Sequence, residues 1–591
     1  MKSTDRPQIK IGREAHPPDS PACAYGWGRA LVVALLLFAA VPSHAGIRPA
    51  PAKFSRDLQR RVDENGMVTV IVQHRQMPSD AHLRTLRGRG ATVKSKFHTI
   101  GAVMMRVPVS MLAELANDPN VTYITPDREI NTTANPESEE FATAVEADVA
   151  ASQYGLTGTG IGVAVIDSGI SCFTDLRDSS GVYRVVYSQG FLPNNPRAED
   201  YYGHGTHVAG LLGGTGVSSG TANGYPAVYA GMAPNVNLID LRALDANGSG
   251  TDSGVIAAIE AAITLKSTYN IRVINLSLGR PVFESYTLDP VDQAVEAAWK
   301  AGIVVVAAAG NEGRYAATDG FGTIGVPGND PAVITVGATV TMGTASRVDD
   351  AIASYSSKGP TPIDHIVKPD LVAPGNHIVS LLDGGSTLAT DYPQFDLYSS
   401  NGTAQYFVLS GTSMATPLVS GAVALMLQQN PALTPDQVKA RLMATAWKGF
   451  GMFTQSTADI NGAVYSNEYD IFTYGAGYLD VNAALGNTQL APGLALSPTA
   501  VFHSSNDTVT ITNTTPDSAF AGSSVVWGTS VVWGTSVVWG TSVIEGSSVA
   551  WGATSVVWGT TSDSGFSVVW GTSVTADSAQ SALGVGDPGD N

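Results

Sequence analysis

Between about residues 142 and 487 short apolar runs alternate with helical patterns, and no other feature narrows the fold as far. Gly162-Val-Ala-Val-Ile166 predicts a strand with no polar side, and a helix opens at about His204. The strand Val236 to Leu241, the helix Ser253 to Ser267, the strand Val273 to Leu276, the helix Pro290 to Ala301 and the strand Ile303 to Ala308 follow in turn. A strand that is apolar on both faces must be covered on both, which in a chain of this alternation means a parallel sheet between layers of helices. The expected class is therefore α/β. Such sheets hold ligands at the carboxyl ends of their strands, so residues directly after strands carry the functional expectation. Further on, Thr434-Pro435-Asp436-Gln437 has capping-box spacing with proline at the first helical position, and opens the helix Gln437 to Ala446.

The flanks divide the 591 residues further. Residues 29–46 hold a short apolar core ending in Ser43-His44-Ala45, so 1–45 reads as a signal peptide with a long polar leader, a later true start and a membrane anchor being the alternatives. No other stretch is long enough to span a membrane, and the protein is expected to be secreted, extracellular or periplasmic, with no stable span after signal removal. Residues 46–138 predict a small α+β, ferredoxin-like unit: strand Met67 to Gln73, helix Asp80 to Arg87, strand-like alternation from Phe97 to Val107, helix Pro108 to Asn117 and strand Val121 to Thr125. Residues 46–134 carry 13 Lys and Arg against 8 Asp and Glu, whereas 135–591 carry 15 against 40, so a basic unit precedes an acidic body on which it can dock. The polar stretch 133–141 between them suits an exposed, cleavable linker. A formal charge of −18 argues against nucleic acid as a partner. Of the two cysteines only Cys172 would survive signal removal, which excludes an intrachain disulfide in the remainder.

After the central domain at 139–487, residues 488–522 read as a β-rich linker, 523–574 as repeats of Ser-Val-Val-Trp-Gly-Thr and 575–591 as an acidic flexible tail. Trp527, Trp533 and Trp539 recur at six-residue steps, followed by Trp551, Trp558 and Trp570. Nearly uncharged, β-prone units of this kind must stack, pair or bind something. Contact with a cell surface or a glycan through the tryptophans stands beside a stacked structural role and a low-complexity tail.

Within the central domain the chemistry gathers around Ser413. The strand-like run Ala404 to Leu409 reaches Ser410-Gly-Thr-Ser413 and passes at once into an Ala/Leu/Met helix, which puts Ser413 at a helix N-terminus. Unpaired N–H groups and the positive end of the helix dipole favour an oxyanion there, although a Ser/Thr N-cap has the same appearance. Asp167 follows a strand, where it could also simply cap a turn. His204 lies between Gly203 and Gly205, while His207 three residues on leaves a two-histidine metal site as the rival. Asn311, in Ala308-Ala-Gly310-Asn311-Glu312, offers an amide as a second oxyanion donor, with a plain turn as its bland reading.

The order Asp, His, Asn, Ser in the settings Ile166-Asp-Ser-Gly169, Gly203-His-Gly-Thr-His-Val-Ala-Gly210, Ala308-Ala-Gly-Asn311 and Gly411-Thr-Ser-Met-Ala-Thr-Pro417 resembles the subtilisin-like serine proteases, the subtilases. The resemblance covers roughly 47–487 and implies a serine endopeptidase acting on protein or peptide substrates. It implies that Ser413 attacks the scissile carbonyl, His204 takes and returns the proton, Asp167 orients the imidazole, and Asn311 with the Ser413 N–H holds the oxyanion. Ser277-Leu278-Gly279 would pair with an extended substrate, with Gly310 and Glu312 beside it, and Glu312 would favour basic side chains in the first specificity pocket. Arg280 stands where a second glycine is common in the family, so the outer subsites are expected to differ. Residues 67–132 are similar to the family's inhibitory pro-segment, which would leave by self-cleavage within 130–142. No cofactor is expected. Calcium is only faintly echoed, by Asp175, since the loop Gly213 to Gly224 lacks the usual ligand pattern. Two other classes stay open, a silent peptide-binding relative and an adhesin whose tail defines the biology.

Overall fold

The computed structural model describes residues 53, 55, 58, 66–131, 141–503 apart from 194, 345, 451–453 and 459–463, and then 508–512, 531–533 and 537–539. The expected signal segment, most of the linker 133–141 and nearly all of the tryptophan repeats lie outside the described residues. Among the described residues no helix is long and apolar enough to cross a membrane.

The first unit runs β1 (Met67–His74), α1 (Asp80–Arg87), β2 (Thr92–Phe97), β3 (Ala102–Pro108), α2 (Leu112–Asn117), β4 (Val121–Pro126) and β5 (Glu129–Asn131). Its antiparallel sheet has the order β2-β3-β1-β4, with β5 outside it. The alternation from Phe97 to Val107 is not one strand but the end of β2, a turn and β3. The chain reverses at Gly101, which takes φ +62° where an added Cβ would lie 2.9 Å from the His74 carbonyl oxygen. The helix expected from Pro108 starts later, because Pro108 closes β3 and Val109–Met111 form a single tight turn. Period-two burial splits β1 between two cores. Val68, Val70 and Val72 face Leu83, Leu86, Leu112 and Leu115, while Ile71 faces the other way into the main core with Phe97 and Ala102. That outer face seats the unit on the body, which explains why a strand of a small domain reads as apolar on both sides.

The body follows with α3 (Phe141–Ala144), α4 (Asp148–Tyr154), β6 (Gly162–Asp167), β7 (Val185–Gly190), α5 (His204–Gly213), β8 (Asn237–Arg242), β9 (Ser249–Thr251) and α6 (Asp252–Tyr269). It continues through β10 (Ile271–Leu276), α7 (Pro290–Lys300), β11 (Val304–Ala308), β12 (Ile334–Val340), β13 (Ala351–Ile352), β14 (Leu371–Pro374), β15 (Ile378–Leu381), α8 (Thr387–Asp391), β16 (Asp396–Tyr398) and β17 (Ala404–Leu409). Then come α9 (Thr412–Gln429), α10 (Pro435–Thr445), the hairpin β18 (Thr454–Ala458) and β19 (Val464–Glu468), and α11 (Val481–Gly486). The main sheet has the order β13-β12-β11-β10-β6-β8-β7, with β14 also on β12, and is parallel except for β13. From β6 the chain goes to the edge strand β7, returns to β8 beside β6 and then crosses to β10 on the other side of β6, so the direction of winding reverses between β6 and β10. Their carboxyl ends therefore flank the crevice where such sheets bind ligands. Helix α9 packs against the sheet and is buried from Thr412 through Leu427, which accounts for its lack of a polar face. The capping box on α10 is formed as expected, with Thr434 Oγ1 accepting from Gln437 N and Gln437 Oε1 from Thr434 N.

The boundary expected at 487 does not end the packing. Val367 N donates to the Pro498 carbonyl at 2.8 Å and Ala500 N to that of His365 at 2.8 Å, Ala500 being the second residue of β20 (Thr499–His503), which pairs antiparallel with β21 (Thr508–Thr512). The cause is a buried polar knot. Lys439 Nζ donates to the carbonyls of Pro331 and Val333 and to Ser497 Oγ, while Asp370 lies 3.2 Å from Lys439, 2.7 Å from Lys368 and 2.6 Å from Ser497 Oγ. Beyond it, β22 (Val531–Trp533) and β23 (Val537–Trp539) pair antiparallel, so the Val-Val-Trp segments of two adjacent repeats lie side by side. Because Asp370 is the shared counter-charge of two fully buried lysines, Asp370→Ala should lower unfolding free energy by about 3–5 kcal/mol, read from the urea midpoint. A loss under about 1 kcal/mol would mean the lysines do not depend on it.

Candidate active site

Asp167 ends β6 and His204 opens α5, and Nδ1 of His204 lies 2.8 Å from Oδ1 of Asp167. Both side chains are buried, and His204 Nε2 has no hydrogen-bond partner among the described residues. Asp200 holds α5 in this position. Its Oδ1 accepts from Ser168 Oγ, Tyr202 N and Gly203 N, and its Oδ2 accepts from Thr206 N at the start of the helix. Ser168 Oγ in turn accepts from Gly205 N. The helix can approach this closely because residue 205 is glycine: a Cβ there would meet the Gly169 carbonyl oxygen at 2.2 Å.

His207 is directed elsewhere. Its Nε2 sits 3.2 Å from the Ile378 carbonyl of β15 and 3.1 Å from the Phe407 carbonyl of β17, so it pins α5 to the small sheet β15-β17-β16. Two carbonyl acceptors require the proton on Nε2. Burial, with His204 adding to it, pushes the His207 pKa down to about 3. The two-histidine metal alternative thus gives way to one ring on Asp167 and one on backbone oxygens. Asp175 is likewise engaged by the protein itself, accepting from Ser218 N at 3.1 Å and from the Tyr406 hydroxyl at 2.7 Å.

Ser413 is the second residue of α9. Its Oγ donates to the Ser277 carbonyl at 3.0 Å, and Ser277 Oγ donates back to the Ser413 carbonyl at 2.8 Å. That carbonyl is open to Ser277 because the residue four places on is Pro417, which has no N–H to complete the helical bond. Below it, Ser420 Oγ donates to Asn275 Oδ1 and Asn275 Nδ2 to Ser277 Oγ, so the end of β10 and the first two turns of α9 form one buried unit. Helices α5 and α9 pack against each other, which brings the elements opened by His204 and Ser413 together.

Asn311 Oδ1 accepts from both Thr412 N at 3.0 Å and Thr412 Oγ1 at 2.9 Å. A backbone N–H can only donate, so the amide orientation is fixed and its NH2 is left to donate beside Ser413. Gly310 takes φ +108° and donates to Thr412 Oγ1, and Glu312 is half-buried with its N–H on Ser357 Oγ. Burial pushes the Glu312 carboxyl up. Leu278 is buried and Gly279 abuts Val326, since Arg280 and Val326 exchange backbone bonds on that side.

Two features lie outside what sequence reasoning found. Ser249–Thr251 form the short strand β9, and β5 pairs with it antiparallel through Glu129↔Thr251, Ile130↔Gly250 and Asn131↔Ser249. Its signal is Gly248-Ser-Gly-Thr251 between a strand and a helix, a polar run that reads as a turn. The second is the Asp200 cap, recoverable from an Asp three residues ahead of Gly203.

An Asp–His pair at a sheet crevice and a serine at the mouth of a buried helix define a serine hydrolase of α/β architecture. Residues 158–487 match the subtilase family. The chain is 38% identical over 356 residues to serine protease AprX of Bacillus subtilis, covering 59% of this chain and 75% of the relative. It is 35% identical over 361 residues to subtilisin E of the same species, covering 61% and 78%, and 34% identical over 351 residues to an alkaline protease of Alkalihalobacillus alcalophilus, covering 59% and 75%. The chain belongs to the subtilase family, and it is a subtilisin-like serine endopeptidase.

The burial of neutral His207 carries a pH dependence with a definite sign. Unfolded, this histidine binds a proton below about 6.5, while in the fold it does so only near pH 3. Stability from this group is therefore whole above pH 6.5 and falls as pH drops toward 3, by about 1.4 kcal/mol per unit. In an inactive Ser413→Ala background, His207→Gln should flatten the stability curve between pH 6 and 4 by about one proton. Parallel curves would contradict the assignment.

Proposed function

We propose that Asp167, His204 and Ser413 act as the catalytic triad of a precursor that is secreted and processes itself. The observation that carries this is the buried Asp167–His204 pair, whose remaining nitrogen has no hydrogen-bond partner among the described residues. With Nδ1–H donated to Asp167, Nε2 is the basic nitrogen. Ser413 turns from the Ser277 carbonyl to Nε2, loses its proton there and attacks the substrate carbonyl. The oxyanion is held by the Asn311 amide and the Ser413 N–H, at the positive end of α9. The imidazolium, stabilised by Asp167, then protonates the leaving amine, and water repeats the sequence on the acyl-enzyme.

The first unit, ferredoxin-like in its β-α-β-β-α-β order, is the pro-segment and intramolecular inhibitor. Several contacts favour this. β5 lies on β9 as an extended peptide would, and Asp127 accepts from Ser253 N and Oγ at the start of α6. Glu260 accepts from Thr99 N and Oγ1, and Gln73 Nε2 donates to the Leu288 carbonyl. The carboxylate at the helix start gains from the dipole there. Export rests on the signal-like segment 1–45.

Expression of the full precursor and of Ser413→Ala in a host with its own proteases suppressed tests the assignment. The wild type should lose its first 130 to 142 residues and hydrolyse casein, while the variant stays uncut and inactive. Equal cutting of both, with no hydrolysis of casein by either, would contradict self-processing and the nucleophile together.

A further inference from the structure

Arg128 precedes β5 and is fully buried at the boundary between the two units. Its guanidinium meets Glu284 through two parallel bonds, Nη1 to Oε1 at 2.6 Å and Nη2 to Oε2 at 2.5 Å. Asp252 and Asp289 stand 4.0 and 3.8 Å from Nη1, and the Phe283 ring centroid is 4.9 Å from the guanidinium carbon. The Arg128 carbonyl accepts the Asp252 N–H at 2.7 Å, so its backbone continues the register of β5 on β9.

The walls belong to the body alone. Arg280 donates through Nε and Nη2 to Asp252 and through Nη2 to Asp289, neutralising the deeper carboxylates. This is the arginine that replaces a glycine common in the family, and without it three carboxylates would be buried together. Glu284 directs both oxygens to Arg128. When the first unit leaves, Glu284 loses that partner and one cation faces three acids. Even with Arg128 in place, burial and the nearby Asp289 hold the Glu284 carboxyl above its usual range.

Resting on the reading that β5 occupies the substrate's place, we propose that this pocket is a specificity subsite for an arginine side chain of the protein substrate, read by Glu284. The arginine lies one residue upstream of the three that pair with Ser249–Thr251. Arginine suits it better than lysine, because the site offers a two-pronged carboxylate and an aromatic face.

The test uses enzyme matured from the full precursor and internally quenched peptides in which one arginine is walked through the six residues upstream of the cut, the cut bond being located by mass. kcat/KM should peak at a single position, about tenfold or more above leucine, with lysine between them and citrulline near leucine. Glu284→Gln should lower the arginine-to-leucine ratio about tenfold. A flat profile with every peptide cleaved overturns the subsite and leaves the endopeptidase reading standing. A peak that Glu284→Gln does not alter overturns the assignment to this pocket. Failure to cleave any peptide or casein overturns the reading beneath it as well.

Discussion

The reciprocal bond between Ser277 and Ser413 is the constraint on which the rest of the site depends. It exists because Pro417 withholds one helical N–H, so that the Ser413 carbonyl is satisfied by Ser277, just after β10, instead of by its own helix. A helix that must be satisfied from outside is held at one height and one rotation against the sheet. Thr412 then meets Asn311 from β11's end, and Ser420 meets Asn275 two turns deeper. Ser413 sits on a helix buried from Thr412 through Leu427, with its N-terminus at the crevice where strand order reverses. Positioning by buried hydrogen bonds of this sort has little freedom to relax, which suits the role proposed for Ser413.

Charge is the second organising element. The basic unit and the acidic body meet through specific pairs as well as a diffuse field. Asp127 lies on the start of α6, and Arg128 is sealed among Glu284, Asp252 and Asp289. A fully buried guanidinium is tolerated only when paired and bonded, and the pairing comes from residues of the body. The same contacts that hold the first unit in place thus describe what can replace it.

Much of this was legible in the sequence. The strands β6, β8, β10 and β11 and the helices α6, α7 and α10 follow from apolar runs and periodicity, because those signals arise from burial on two faces or one. Asp167, His204, Asn311 and Ser413 stand out in the sequence because each sits in or beside a short stretch of small residues, where backbone approaches closely. The turn at Gly101 was missed because its flanks continue a single alternation. β9 was missed because three residues of Ser, Gly and Thr carry no hydrophobic signal and become a strand only when β5 lies beside them. The pocket around Arg128 is invisible in the sequence for a different reason. Its walls come from the start of α6, the loop after β10 and the cap of α7, and only Arg280, out of place for a glycine, hinted at it.

The proposed roles of Ser413 as nucleophile and of His204 as its base are open to a direct chemical test. Reacting the matured protein with a serine-directed fluorophosphonate and mapping the adduct by mass spectrometry addresses them without relying on any peptide. A single phosphonyl adduct is expected on the peptide bearing Ser413, formed at least a hundredfold more slowly in His204→Ala, itself produced by cleaving the first unit away with an added protease. An adduct on another serine, or labelling of Ser413 at the same rate without His204, would contradict those roles.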